Sequence, residues 1–401
     1  MKARLTIVTV IVVMLSTMIV AQTRRQRLNP MIDLLEQKKI IVGGVPASYP
    51  RPQAAPRGEG GGRGAGNAEA AAAAPVPDAC GIIPAPRGEG GGGGRGPGGG
   101  GGAGAAGGGA GRGPGGGEAA NRGGAGGGGR GGGTPPAPAA QTMEEAAKLT
   151  VAFKGGDFLN GSMEGGVDNA IGPFSEFMKA MSQAGVLSKT PYPHLTHPYY
   201  MKTPKISRNP TRAIENISKQ LNTGMSGVIF VAVDCAKEVT TGLSAMRPKS
   251  VGGTRPDDYG MAPAYWGMTA QQYKQKADVW GLNPNGELVS WVIIESKDGL
   301  KNIRDIAKVR GIGVLISGAG TLRGVLRDDP DPDAWEKAQQ TILAACKESN
   351  VNCGFPAGTP AEIEMRIKQG FNVFVQQSWS QQSFDTMAKG RELGGRPASS
   401  N

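Results

Sequence analysis

Two acidic residues stand directly after short apolar segments of the sequence. Glu295 follows the apolar run 291–294, and Glu164 follows the segment 159–163 and precedes two glycines. A carboxylate at the end of a buried strand needs a partner, because burying an unpaired charge is costly. A metal ion is one such partner, and a Lys or Arg side chain is the other. We therefore predict that both acids are metal ligands, with an ion pair at Glu295 and a plain glycine turn after Glu164 as the alternatives.

Basic side chains and glycines in three other segments could bind the anionic part of a substrate. Segment 318–324 follows an apolar run, so its backbone N–H groups could hold a carboxylate that Arg323 clamps in bidentate fashion. Lys202 and Arg255 are the candidate catalytic partners of a carboxylate or oxyanion. The alternatives are a tight turn whose glycines only permit positive φ, and solvated positions for the basic residues. The predicted substrate-binding residues are Gly318, Ala319, Gly320, Thr321 and Arg323.

The histidines and cysteines offer little further chemistry. His194 and His197, the only two histidines of the sequence, precede or begin a predicted strand, away from the end at which we expect the site. The four cysteines contain no C-x-x-C pair, which excludes a zinc ribbon and a thioredoxin motif. We expect buried or unpaired thiols, with a bridge between Cys346 and Cys353 in an oxidising compartment as the alternative.

Strand and helix patterns alternate along the chain and predict the scaffold that positions these residues. Each of eight short apolar strand patterns is followed by a helix pattern. Pro173 is expected to open the helix that runs to residue 184, and Asp333 with Glu336 to form a capping box for the helix that ends near Glu348. The strand patterns lie at residues 40–42, 157–163, 199–206, 227–233, 288–295, 313–317, 353–356 and 371–376.

Eight such units predict the α/β class and a closed (β/α)₈ TIM-type barrel, in which active residues project from the carboxyl ends of the strands. No Gly-x-Gly-x-x-Gly follows the first strand, which argues against a dinucleotide-binding fold. The domain prediction is a first helix and strand at residues 28–50 and the remainder of the barrel at 142–395.

The chain also carries an apolar start and a long low-complexity segment. Residues 1–21 combine a short basic start with an apolar run, as in a secretory signal peptide; an uncleaved membrane anchor is the alternative. We therefore expect the protein to be exported, as a periplasmic or secreted protein. Residues 51–141 are rich in Gly, Ala and Pro and are predicted to form a disordered insert after the first strand. The net charge of +11 is spread thinly and that insert lacks aromatic residues, so we do not expect a nucleic-acid partner.

These segments, in this order, resemble the HpcH/HpaI aldolase/citrate lyase family. The resemblance covers residues 29–50 and about 142–380. It implies a barrel of the pyruvate type, a divalent metal such as Mg²⁺ or Mn²⁺ that stabilises an enolate, and a homo-oligomer. Glu295 matches the family's first metal-ligand Glu. The motifs that carry the resemblance are 162–166, Lys202-Thr203-Pro204, 227–233, Gly253-Thr254-Arg255, Ile294-Glu295 and 318–322.

The sequence departs from the family at four functional positions. Ser162-Met163-Glu164-Gly165 replaces Asp-x-Glu-His, so the acid/base His and the Asp are missing. Thr321 stands at the second metal Asp, and Lys202 stands at a substrate-binding Arg, whose bidentate contact Lys does not reproduce.

We therefore predict a divergent carbon–carbon lyase for a 2-keto or hydroxy acid. In this enzyme, Glu295 and Glu164 are expected to bind the metal. Lys202, Arg255 and Arg323 are expected to bind the anionic substrate. A non-catalytic exported barrel that binds a small carboxylate is the alternative. A structural or RNA-associated protein that acts through its glycine-rich insert is a third interpretation. A membrane contact is expected only through the amino-terminal segment.

Overall fold

The computed structural model describes residues 26–47, 80–81 and 142–398. The predicted signal peptide or anchor at 1–21 lies outside the described residues. So does the predicted insert at 51–141, apart from Cys80 and Gly81. The domain boundaries given above therefore stay predictions.

Eight parallel strands form a closed barrel, which confirms the predicted TIM-type fold. The hydrogen-bonded order is β1-β10-β9-β8-β7-β6-β5-β2. A parallel bridge between Gly44 and Leu159 joins the two ends, with Gly44 N donating to Phe158 O and Asn160 N donating to Gly44 O. The barrel strands are β1 (Ile41–Gly43), β2 (Leu159–Ser162), β5 (Tyr199–Thr203), β6 (Gly227–Phe230), β7 (Val289–Ile294), β8 (Ile312–Ser317), β9 (Asn352–Phe355) and β10 (Val373–Val375).

Side chains alternate between the barrel interior and the layer beneath the helices. Phe158, Tyr200 and Trp291 pack against one another inside the barrel, with ring centroids 5.0 to 6.1 Å apart. The helix Met31–Glu36 closes the amino-terminal end, since Met31, Ile32 and Leu35 belong to the same buried cluster as these rings. The interior is therefore filled below the carboxyl ends of the strands. We call the end of the barrel at which the strands have their carboxyl ends the mouth.

The helices surround the barrel in the predicted alternation. A two-stranded hairpin, β3 (Leu187–Ser188) and β4 (His194–Leu195), is an addition that the sequence did not predict. No helix of the described residues is both long and apolar enough to cross a membrane. The helices span Met31–Glu36, Met143–Ala152, Val167–Gln183, Pro210–Leu221, Ala236–Met246, Ala262–Tyr265, Ala270–Lys276, Lys297–Lys301, Ile303–Ala307, Ala319–Val325, Ala334–Glu348, Pro360–Gln369 and Gln381–Leu393, with a 3-10 turn at Lys249–Val251.

Three local predictions were wrong. The helix Val167–Gln183 contains Pro173 rather than beginning there, and Gly172 before it has no Cβ to clash with the proline ring. Asp333 makes no side-chain capping hydrogen bond. The four cysteines form two disulfides, Cys80–Cys235 and Cys346–Cys353, instead of remaining thiols. Cys346–Cys353 is the alternative that the spacing had left open.

His197 is buried at the amino-terminal side of the barrel, as its position before β5 predicted. Its Nε2 lies 2.8 Å from the carbonyl oxygen of Phe153, so Nε2 carries the proton of a neutral ring. Burial lowers the pKa of His197 to about 4. The ring is a structural group far from the mouth.

Acid should destabilise the fold through His197. An unfolded His binds a proton near pH 6.5, whereas the folded one does so near pH 4. The stabilisation is therefore fully present above about pH 6.5 and is lost as the pH falls through 4, by about 3 kcal/mol. Urea unfolding across this range should show that the pH dependence of His197→Gln is shallower than that of the wild type by this amount. Identical slopes for the two proteins would contradict the assignment.

Candidate functional site

The alternation of side chains along β5 and β7 directs two of the predicted site residues to the mouth. Tyr200 faces the interior, so Lys202 two residues later lies above it on the same side. Val289, Trp291 and Ile293 are interior residues, and Glu295 continues their alternation just beyond the strand. The structure thus brings Lys202 and Glu295 to the carboxyl ends of their strands, where the fold predicts a site.

Glu164 joins this group through an ion pair with Lys202. The Lys202 Nζ lies 3.3 Å from Glu164 Oε2, and both side chains are about one-third exposed, at 34% and 38%. Ser162 Oγ donates to the same carboxylate oxygen at 2.9 Å. An ion pair this exposed contributes roughly 0–1 kcal/mol to stability. Both groups are therefore readily available to a ligand.

Glu295 is held against the backbone of two neighbouring loops. Its Oε1 accepts a hydrogen bond of 2.9 Å from the N–H of Ala232, a residue with φ of 48° that lies two positions after the end of β6. On the other side it packs on Gly318, where a Cβ would lie 2.4 Å from the Glu295 Cβ and 3.0 Å from Oε2. Position 318 therefore requires glycine because the Glu295 side chain occupies that space. No group of the described residues donates a hydrogen bond to Oε2.

A buried network that we did not predict ties together the loops after β5, β6 and β7. Asp234 forms an ion pair with Lys205 and accepts a hydrogen bond from Ser296 Oγ. The carboxylate of Glu238 accepts from the backbone N–H groups of Ser207 and Asp234 at 2.8 and 2.6 Å, and burial raises its pKa. This network fixes the backbone on either side of Glu295. The signal for it was available, since Asp234 follows an apolar strand just as Glu295 does.

Residues 318–324 do not form the glycine turn that we predicted. They belong to the helix Ala319–Val325, and the N–H of Gly318 donates to Ile294 O at 2.8 Å. That N–H cannot also bind a carboxylate. Thr321 is exposed on this helix.

Arg323 lies beside a cavity at the ends of β8, β9 and β10. Its guanidinium stacks on Trp335, 4.0 Å from the ring centroid. The cavity of about 400 Å³ is lined by Ala319, Gly320 and Arg323 of the predicted set, together with Phe355, Gln376 and others. Arg323 can therefore meet an anionic group that enters this cavity.

The predicted position of Arg255 at the mouth is wrong. Arg255 lies in the connection between the helix Ala236–Met246 and β7, which places it at the amino-terminal side of the barrel. Its side chain is fully buried, donates to Asn222 Oδ1 at 2.8 Å and to the Tyr273 hydroxyl at 3.2 Å, and lies over the Tyr259 and Tyr273 rings. Arg255 therefore stabilises this connection and does not reach the other candidates.

The mouth offers few protein ligands to a divalent metal ion. Among the described residues, the one group of three metal-ligating side chains is Cys80, Cys235 and Glu238, and its cysteines are joined by a disulfide. At the mouth, Glu295 offers Oε2, whereas Glu164 shares its carboxylate with Lys202. Mg²⁺ commonly keeps several waters and takes one or two carboxylates together with substrate oxygens. Glu295 thus suits an ion that is completed by water and substrate.

Residues 195–371 match the family model for HpcH/HpaI aldolase/citrate lyase. The family resemblance predicted from the sequence is thereby confirmed. The matched residues include Lys202, Glu295 and Thr321 but not Glu164. A curated relative, 2-dehydro-3,6-dideoxy-6-sulfogluconate aldolase of Pseudomonas putida, is 24% identical over 161 residues, or 39% of this chain. The chain spans 58% of the length of that relative.

Solved structures of the same kind are similar over most of the described barrel. An HpcH/HpaI aldolase/citrate lyase family protein from Burkholderia cenocepacia J2315 is 22% identical, with a TM-score of 0.47 over 63% of this chain and 90% of that one. Macrophomate synthase is 18% identical, with a TM-score of 0.44 over 58% and 74% of the two chains. The citrate lyase beta subunit of M. tuberculosis, in complex with oxaloacetate and magnesium, is 14% identical, with a TM-score of 0.38 over 62% and 92%.

Because Glu295 packs on Gly318, we expect Gly318→Ala and Gly320→Ala to change the free energy of unfolding in opposite directions. Gly318→Ala should lower the free energy of unfolding by about 1–3 kcal/mol, because the new Cβ overlaps Glu295. Gly320→Ala, two residues later in the helix, meets no atom within 4 Å. It should raise stability by about 0.5–1 kcal/mol, as Ala does in a helix. Urea unfolding of the two variants checks this, and an equal effect of both would refute the close approach.

Proposed function

We propose that this protein is a carbon–carbon lyase that acts on a 2-keto or hydroxy acid at the mouth of its barrel, with a divalent metal ion. The Glu295 carboxylate carries the proposal. It is held by the Ala232 N–H and packs on Gly318, and its Oε2 accepts no hydrogen bond from the described residues. It lies at the same end of the barrel as the Lys202 ammonium. A metal ion on Glu295 would bind the keto oxygen of a keto acid, and the Lys202 ammonium would bind its carboxylate. The family match supports the lyase class.

The metal ion, Mg²⁺ or Mn²⁺, would be held by Glu295 and would supply Lewis-acid stabilisation of an enolate. Glu164, the second predicted ligand, is paired with Lys202 and is proposed as the base instead. Lys202 binds the carboxylate of the substrate through its ammonium group, in place of the ion pair with Glu164. Arg323, at the edge of the neighbouring cavity, contacts the anionic far end of a longer substrate.

Glu164 is the candidate base, because its carboxylate lies 3.3 Å from the Lys202 ammonium. Gly165 stands where the family has its His. The Glu164 carboxylate takes the proton that leaves the substrate hydroxyl when the carbon–carbon bond breaks, and it returns that proton to the product. The Ser162 hydroxyl donates to the carboxylate at 2.9 Å and orients it.

A barrel that binds a small carboxylate without catalysis is the second candidate. The position of Thr321 favours it, because this residue is exposed on a helix and the protein lacks a second acidic ligand there. In that case Lys202 and Arg323 would bind an acid without the metal. Metal affinity therefore separates the two functions.

We also propose that the protein is exported, with residues 1–21 as signal or anchor. The two disulfides support this, because disulfides persist mainly in oxidising compartments. Any membrane contact would run through that segment. A homo-oligomer and a small carboxylate ligand are the proposed partners, and a nucleic-acid partner is not proposed.

Titration calorimetry tests the metal proposal. Mn²⁺ and Mg²⁺ are titrated into the full chain with and without oxaloacetate or pyruvate. We expect metal binding that strengthens with the keto acid and weakens at least tenfold in Glu295→Gln. Glu348→Gln, which removes an exposed carboxylate paired with Arg304 elsewhere on the barrel, is the matched control and should bind like the wild type. The absence of metal binding at millimolar concentration would overturn the metal-dependent mechanism and leave the binding protein.

A further inference from the structure

Asn160 places an amide group inside the barrel, just below the mouth. In β2 it pairs with Tyr200 of β5, and Phe158, two residues earlier, belongs to the same interior cluster as Tyr200. Leu159 between them packs in the outer layer beneath the helices. Because side chains alternate along a strand, the Asn160 side chain faces the interior. The next interior positions above it are Ser162 and its register partner Lys202.

Among the described residues, no group donates a hydrogen bond to the amide oxygen of Asn160. The side chain is 9% exposed, and Oδ1 is buried without a hydrogen bond. Another interior amide, that of Asn352 at the opposite end of the barrel, is bonded to Gly313 O and to Asn372. Burying a polar group without a hydrogen bond destabilises a fold, and an apolar side chain would fill this position without that cost. The fold alone therefore gives no reason for an amide here.

The surroundings of Asn160 indicate what would satisfy it. Above it lies the ion pair of Lys202 and Glu164. Beside it lies the backbone of Gly44, the residue after β1, whose carbonyl oxygen accepts from Asn160 N at 2.9 Å. The free Oδ1 is an acceptor, so its partner must bring a donor. A carboxylate alone cannot do so, whereas a hydroxyl can. A hydroxy acid offers a hydroxyl for Asn160 and a carboxylate for Lys202 at the same time.

We propose that Asn160 is a substrate-contacting residue whose Oδ1 accepts a hydrogen bond from a hydroxyl of the bound acid. The residue thereby selects hydroxy acids over analogues that lack this hydroxyl. The inference rests on the proposed function, because it takes the mouth as the binding site of an organic acid. It adds the group that reads the hydroxyl, which neither Lys202 nor Glu295 supplies.

Malate and succinate are the probes, since they differ by one hydroxyl. Each is titrated into the full chain with saturating Mg²⁺. We expect wild-type protein to bind malate about tenfold more tightly than succinate, which is the usual effect of one buried hydrogen bond. Asn160→Leu should bind both acids equally, with an affinity for succinate close to that of the wild type.

Thr203→Val is the matched control. Thr203 is fully buried in the neighbouring strand with an unpartnered Oγ1, but it lies on the face away from the barrel interior. This variant should keep the tenfold preference for malate. Both variants remove an unpartnered buried polar group, so both should unfold at or above the wild-type temperature. A lower unfolding temperature for Asn160→Leu alone would show that the amide has a structural partner, and would overturn the inference.

The outcomes separate this inference from the function it rests on. If wild-type protein and Asn160→Leu both prefer malate equally, Asn160 does not read the hydroxyl, while the mouth remains an acid-binding site. If wild-type protein binds neither malate, succinate nor oxaloacetate, the mouth is not such a site, and both the proposed function and the role of Asn160 are overturned.

Discussion

The mouth of this barrel depends on the close approach of the Glu295 side chain to two stretches of backbone. The N–H of Ala232 holds one carboxylate oxygen, and the missing side chain of Gly318 provides the space for the rest. These contacts come from the loops after β6 and β8, on either side of β7. The carboxylate is therefore fixed before any ligand arrives, which is the condition under which charged groups at an active site stabilise developing charge. The ion pair of Lys205 and Asp234, together with Ser296, ties the loops after β5, β6 and β7 to one another.

The rest of the mouth differs from this fixed group because it is exposed and exchangeable. Lys202 and Glu164 are paired with each other, so a substrate carboxylate can replace Glu164 as the partner of Lys202 without leaving an unpaired buried charge. Release of Glu164 then provides a free carboxylate next to the substrate. One ion pair can thus supply both the anion-binding group and the base, in a sequence that has no His at the family position. In the proposed function, the fixed Glu295 would hold the metal, while the exchangeable pair would bind the substrate and move the proton.

Much of this arrangement was predictable, because parallel barrel strands are buried on both faces and therefore appear as uninterrupted apolar runs. The same runs showed where Glu295 and Lys202 must lie. The prediction for Arg255 rested on its Gly-Thr-Arg motif and ignored its place in the chain. Arg255 lies between a helix and the next strand, and such connections lie at the amino-terminal end of the barrel. The helix Ala319–Val325 was hidden by Gly320 and Gly324, which are poor helix formers but face open space. Neither the Lys205–Asp234 pair nor the unpartnered amide of Asn160 could be identified from spacing alone, since both depend on contacts between strands distant in sequence.

If the mouth stabilises the enolate of a bound keto acid, the methyl protons of pyruvate should exchange with deuterium at this site. The exchange is followed by NMR in deuterated buffer with Mn²⁺ or Mg²⁺ and requires no knowledge of the second substrate. We expect exchange that requires the metal, is lost in Glu295→Gln and persists in Glu348→Gln. Binding of pyruvate without any exchange above the protein-free rate would contradict it and would show a barrel that binds acids without activating them.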